Sequence, residues 1–118
     1  MALKDYPHTP DGRYFVANGK LWRCSDPRLT PEGRKALTKK LMEARRKVKE
    51  VQNSEVRLKR ARRAVNAAKE ALGERGPVWW SDGAPDETMK TPKNSSYADW
   101  WESLSEEERA RGLAAPRA

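Results

Sequence analysis

The sequence predicts an α+β fold that is mostly α. An N-terminal β-hairpin and a Trp-rich C-terminal segment are expected to pack on a long basic helix or an antiparallel helical hairpin. Three observations carry this reading. Residues 34–72 contain no Gly, Pro or aromatic residue and are filled with Arg, Lys, Glu, Ala, Leu and Val, which a helix tolerates at little cost. Asn18-Gly19 separates two short runs rich in aromatic and β-branched residues. Four of the five Trp residues lie beyond residue 77, in two adjacent pairs.

The hairpin is placed over residues 12–25. Arg13-Tyr14-Phe15-Val16-Ala17 and Lys20-Leu21-Trp22-Arg23-Cys24 read as its strands. Asn-Gly accepts the two positive φ angles of a type I′ turn, the strongest short hairpin signal. Asp11-Gly12 marks the turn before it. A two-stranded hairpin is marginal alone, so it needs a surface to pack on, and the helical segment is the large apolar surface on offer.

The helical segment is placed over residues 30–72. Thr30 can cap the free amides, Pro31 suits the first helical position, and Glu32 faces the positive end of the helix dipole. Leu37, Leu41, Ala44, Val48 and Val51 form one apolar stripe at alternating spacings of four and three. Leu58, Ala61, Val65, Ala68 and Leu72 form a second, out of phase with the first. The discontinuity falls at Gln52-Asn53-Ser54. Either the chain turns there and two antiparallel helices zip together, or one helix of roughly 60 Å runs through with a stutter. The hairpin buries both stripes within one chain, whereas the straight helix needs a second chain. Against a turn, residues 52–54 contain no Gly.

Gly73 stands where a left-handed helix cap belongs, and Gly76-Pro77 prevents resumption. Residues 77–118 are read as a Trp-rich cap with short helices. Tyr97, Trp100, Trp101 and Leu104 recur at helical spacing. Ser105 followed by Glu108 is a capping box opening a further turn up to Gly112.

At 118 residues, with 36% charged and 36% hydrophobic residues, the chain suits one domain with a thin core. It holds no apolar run long enough to span a membrane, and residues 1–7 lack the apolar stretch of a secretory signal. The lone Cys24 cannot form an internal disulfide, nor build a zinc site with the single His8. A reducing cytoplasm is expected.

Candidate chemistry is sparse. Cys24 and His8 could in principle form a nucleophile pair, but a small thiol beside Trp22 at a strand end is ordinary packing. Asp82, Asp86 and Glu87 are three carboxylates on one loop. Their Asp-Gly and Pro-Asp contexts are turn chemistry, and their spacing matches no calcium loop. Gly73-Glu74-Arg75-Gly76 lacks the flanking strand and helix of a phosphate-cradling loop. No enzymatic activity, cofactor or metal is therefore expected.

Charge is the sharper signal. Residues 28–75 hold sixteen basic and six acidic residues, a net of +10, while residues 76–118 hold five and eight, a net of −3. Arg45, Arg46, Lys47, Lys59, Arg60, Arg62 and Arg63 cluster near the possible turn. A contiguous set of Lys and Arg is what neutralising phosphates requires, although charge runs are usually solvated helix exteriors. Trp79 and Trp80 point opposite ways on an extended segment, so one of them is a candidate exposed contact. A flanking cation could make it a stacking platform; the plainer account is a core for the cap.

Ala71-Leu72-Gly73-Glu74-Arg75-Gly76-Pro77-Val78-Trp79-Trp80, followed by Asp82-Gly83-Ala84-Pro85-Asp86, resembles a family of short, uncharacterised bacterial proteins. Leu21-Trp22-Arg23, Arg45-Arg46 and Tyr97-Ala98-Asp99-Trp100 are similar to it too, so the resemblance covers most of the chain. It implies a bacterial cytoplasmic protein in which the Trp loop is a constant architectural feature. It brings no activity to any residue.

Two functions fit. One is a small non-catalytic protein that binds nucleic acid or another polyanion through its basic helical face. The other is a protein-interaction or homodimerising module, using the helical seam and an exposed Trp.

Overall fold

The computed structural model describes residues 6–114. Its elements run β1 (Tyr14–Ala17), β2 (Lys20–Arg23), α1 (Pro31–Glu50), α2 (Glu55–Leu72), α3 (Ala98–Ser103) and α4 (Glu106–Leu113), with a 3-10 turn at Pro92–Asn94 before α3. The fold is α+β, with an N-terminal antiparallel hairpin and two packed long helices. The chain gathers into two compact units. Residues 25–81 form one, and the described residues before and after them form the other.

In the first unit α1 and α2 make an antiparallel helical hairpin. The Thr30 hydroxyl accepts from the Gly33 amide at 3.0 Å, and Pro31 occupies the first turn. The turn falls at residues 51–54: the Ser54 amide donates to the Val51 carbonyl, and the Ser54 hydroxyl caps α2 by accepting from Arg57. No glycine is needed, because the residue ending α1, Val51, keeps a negative φ of −113°. The two stripes meet in a seam. Leu41, Ala68 and Leu72 are its buried centre, with Leu29, Leu37 and Val65 packed against them. Ala44, Val51 and Ala61 are buried as well, while Val48 and Leu58 are half-buried. The alternative of one straight helix is excluded.

Gly73 closes α2 at φ 86°, where an L side chain is strained. Its amide donates to Glu70 and that of Glu74 to Lys69, so two free carbonyls of the last turn are satisfied. The Asp26 amide donates to the Leu72 carbonyl at 2.8 Å, and the Ser25 hydroxyl to Glu74 at 2.9 Å. The segment entering α1 is thereby fastened to the segment leaving α2.

In the second unit β1 and β2 pair in the register Tyr14 with Arg23 through Ala17 with Lys20. Asn18 and Gly19 take φ of 52° and 73°, the type I′ pair. The sequence points to the helical segment as the surface this hairpin needs; the hydrogen bonds described for it run to the C-terminal segment. Leu21 exchanges backbone bonds with Met89 and Lys90, at 2.7 and 2.9 Å. Asn18 and Gly19 donate to Ala114 and Gly112 at the end of α4. Tyr14, Val16, Ala17, Leu21 and Trp101 are buried. Ser105 and Glu108 form the capping box of α4, and Gly112 lies within that helix because its missing side chain admits the Trp101 ring.

Candidate functional site

A helix exposes roughly two thirds of its circumference once one stripe is buried, and here that exterior is basic. Arg45, Arg46, Lys47, Lys59, Arg60, Arg62 and Arg63 are all exposed. Four of the seven line two grooves. Lys59, Arg62 and Arg63 line a shallow groove of about 580 Å³ along α2, with Asn66, Ala67 and Glu70. Arg46 lines a second groove, of about 820 Å³, at the start of α1 and beside it. Its neighbours there include Arg34, Lys35 and Lys39, with Leu29 and Met42 as apolar lining and Glu43 as the lone carboxylate. Lys47 lies 3.9 Å from Glu50. Among the described residues the other six form no ion pair.

Arg34, Lys35 and Lys39 lie outside the set expected from sequence. The signal for them is present: Lys35, Lys39 and Arg46 recur at spacings of four and seven, which places them on one face. Lys69 lies outside that set too. It is half-buried, whereas every other Lys and Arg of α1 and α2 is exposed. Burial pushes its ammonium below the ordinary lysine range, and repulsion from Arg75 and Arg45 adds to this; Glu74 pulls the other way.

The two rings of the Trp79–Trp80 pair differ in exposure. Trp80 is buried and Trp79 half-buried, because the two rings meet edge to face, with centroids 5.1 Å apart. The Trp79 carbonyl accepts from Arg28 at 2.9 Å. Trp22 and Trp100 are half-buried and Trp101 buried.

The loop carboxylates each serve a local partner. Asp82 pairs with Arg13 and accepts from the Ala84 amide. The Arg13 guanidinium is the main reason its carboxyl sits below the usual range. Asp86 accepts from the Thr88 amide and hydroxyl and pairs with Arg23 at 3.2 Å. Glu87, buried, accepts from the Ser96 amide and hydroxyl at 2.9 and 2.5 Å. Cys24 forms no disulfide and is half-buried rather than enclosed. His8 is exposed, with Nδ1 2.8 Å from the Tyr6 carbonyl oxygen and the ring against Phe15. Among the described residues no helix is long and apolar enough to cross a membrane. Compared with protein-family models, curated proteins and solved structures, the chain matches none.

Proposed function

We propose that this is a small, non-catalytic basic protein that binds nucleic acid or a related polyanion through the exterior of its helical hairpin. The observation that supports it most is the unpaired state of the exposed cations. Six of the seven expected residues, joined by Arg34, Lys35 and Lys39, have no carboxylate partner among the described residues. A solvated helix exterior is usually relieved by i, i+4 pairing; here Lys47–Glu50 is the only such ion pair described on α1 or α2, and it spans i, i+3. The faces carry no aromatic residue, so contact with bases by stacking has no platform. Binding would run through the phosphates, with little sequence preference and strong salt dependence. The same proposal includes a bacterial cytoplasmic setting, in keeping with a lone cysteine that forms no disulfide.

The test is a fluorescence titration with a short duplex and a single strand at low and near-physiological salt. Reversal of Arg60, Arg62 and Arg63 to Glu should weaken duplex binding and lower its log–log salt slope by roughly 3, at about 0.9 for each phosphate no longer neutralised. Helicity should persist, since Glu also favours helices. Absence of binding at low salt would sink the proposal.

One observation favours the second reading, a protein-interaction or homodimerising module. Met42, 61% exposed, sits in the α1 groove with Leu29, an apolar floor between cations. Association through it would vary little with salt, and Met42→Glu would abolish it.

A further inference from the structure

The hydrogen bond that closes a four-residue turn joins its outer residues and uses neither central amide. A helix, in turn, leaves its last carbonyls without partners. In this fold the two shortfalls answer each other. The Asn18 amide donates to the Ala114 carbonyl at 2.8 Å, and the Gly19 amide donates to the Gly112 carbonyl at 3.0 Å. The hairpin turn and the end of α4 therefore cap one another. Of Asn18, Asn53, Asn66 and Asn94, only Asn18 precedes a glycine. That pairing has a chemistry of its own. The backbone nitrogen after an asparagine, once its proton is lost to solvent base, attacks the side-chain carbonyl carbon. The Cγ–Nδ2 bond breaks, the nitrogen takes a proton from water and leaves as ammonia, and a cyclic succinimide forms. Water then opens the ring to aspartate or isoaspartate. A following glycine has no side chain to obstruct the attack.

We propose that Asn18 is a latent deamidation site, kept shut by the end of α4. Asn18 is exposed, so burial does not protect its side chain. What is guarded is the nucleophile. The Gly19 nitrogen holds its proton against the Gly112 carbonyl, and the turn is fixed at φ of 52° and 73°. Gly112 is itself wedged in place, since a Cβ there would stand 3.0 Å from the Trp101 ring and 3.1 Å from Val16 Cγ1. Once the end of α4 lets go, nothing further is needed: side chain, nitrogen and water are all present. The two products then differ. Aspartate keeps the backbone length, tolerates a positive φ, and replaces a neutral group with a negative one. Isoaspartate threads the main chain through an extra methylene. It disturbs the Ala17–Lys20 pairing and draws the Gly19 amide off its acceptor. The second product therefore stops the lock from closing again.

The experiment incubates the full chain at mildly alkaline pH, folded and in urea, and follows aspartate and isoaspartate at each asparagine by peptide mapping. In urea, Asn18 should convert ahead of Asn53, Asn66 and Asn94. In the folded chain it should convert at least roughly tenfold more slowly than in urea, because reaction waits on local opening of α4. Ala110→Gly weakens α4 from an exposed position and should speed folded-state conversion about fivefold. Ala64→Gly, the same change at an exposed position of α2, should leave the rate within about twofold of wild type. Equal rates at Asn18 in the folded and urea-treated wild type would overturn the lock, and this comparison decides even where Ala110→Gly does not fold. A folded Ala110→Gly that converts no faster than wild type, or no faster than Ala64→Gly, would remove α4 as its cause. Failure of Asn18 to lead in urea would overturn the site itself.

Discussion

The Tyr97 hydroxyl donates to the Asp11 carboxylate at 2.6 Å, joining residues 86 positions apart. The pair ties the turn before β1 to the residue that opens α3. Burial and then the bond to Asp11 push the Tyr97 hydroxyl far above the usual tyrosine range. For Asp11, burial alone would raise the carboxyl, but bonds from Tyr97, Thr9 and the Arg13 amide outweigh it and leave it low. The stability that follows has two limbs. The folded chain keeps the Tyr97 proton after the unfolded chain has lost it, so this contribution is full below about pH 10 and declines above. The unfolded chain takes up the Asp11 proton first, so that contribution is full above about pH 4 and is lost as pH falls further. Tyr97→Phe should cost about 1–2 kcal/mol near neutral pH and should make the alkaline decline shallower. Urea midpoints across the pH range read both effects. An unchanged alkaline limb would show that Tyr97 ionises freely.

Gly112→Ala sets two known effects against each other. In a helix interior the change favours folding by up to about 1 kcal/mol. The new Cβ, however, would stand 3.0 Å and 3.1 Å from two atoms of the Trp101 ring and 3.1 Å from Val16 Cγ1. All three are parts of buried groups that cannot swing away, and overpacking costs about 1–3 kcal/mol. The net effect should be a lower melting temperature, with near-ultraviolet dichroism of Trp altered. A stabilised variant would mean that Trp101 has room to move.

Gly73→Ala meets a backbone problem as well as a steric one. The left-handed conformation costs a side chain about 1–2 kcal/mol. The added Cβ would also lie 3.0 Å from Asp26 Cβ and from Trp79 Cδ1. A loss of about 2 kcal/mol or more in chemical denaturation is expected; a loss under about 0.5 would contradict the cap geometry.

The seam can be tested by contrast. Leu72 is 2% exposed and Val56, on the same helix, is 70% exposed. Leu72→Ala should cost about 2–5 kcal/mol, and Val56→Ala less than about 0.5. Similar costs for the two would place the apolar stripe on the wrong face.

Much of this is legible in the chain because local chemistry and tertiary packing agree. Thr30-Pro31-Glu32 starts a helix wherever it stands, and Gly73 ends one. Asn18-Gly19 specifies its turn through backbone angles that few other pairs accept. The phase shift between the two apolar stripes is a helical hairpin written as arithmetic, and only the absence of a turn glycine obscures it. Val51 and Ser54 manage the reversal without one. What the chain conceals is long-range. Nothing near Leu21 announces that Met89 and Lys90 will bond to it, since backbone groups carry no residue-specific signal. That Lys59, Arg62 and Arg63 line one groove and Arg46 another depends on helix rotation, which composition does not report. Lys69 looks in sequence like any other lysine, and its half-burial emerges only when α1 lies beside α2.

The bonds from Asp26 to Leu72 and from Ser25 to Glu74 make the entry to α1 and the exit from α2 meet at one place. A hairpin closed in this way is free to lengthen. Seven residues added to each helix would preserve the heptad phase and the junction alike, and carry the turn at residues 51–54 about 10 Å further from that junction. Helix length is therefore an adjustable dimension of this unit, set by whole heptads and not by the residues that close it.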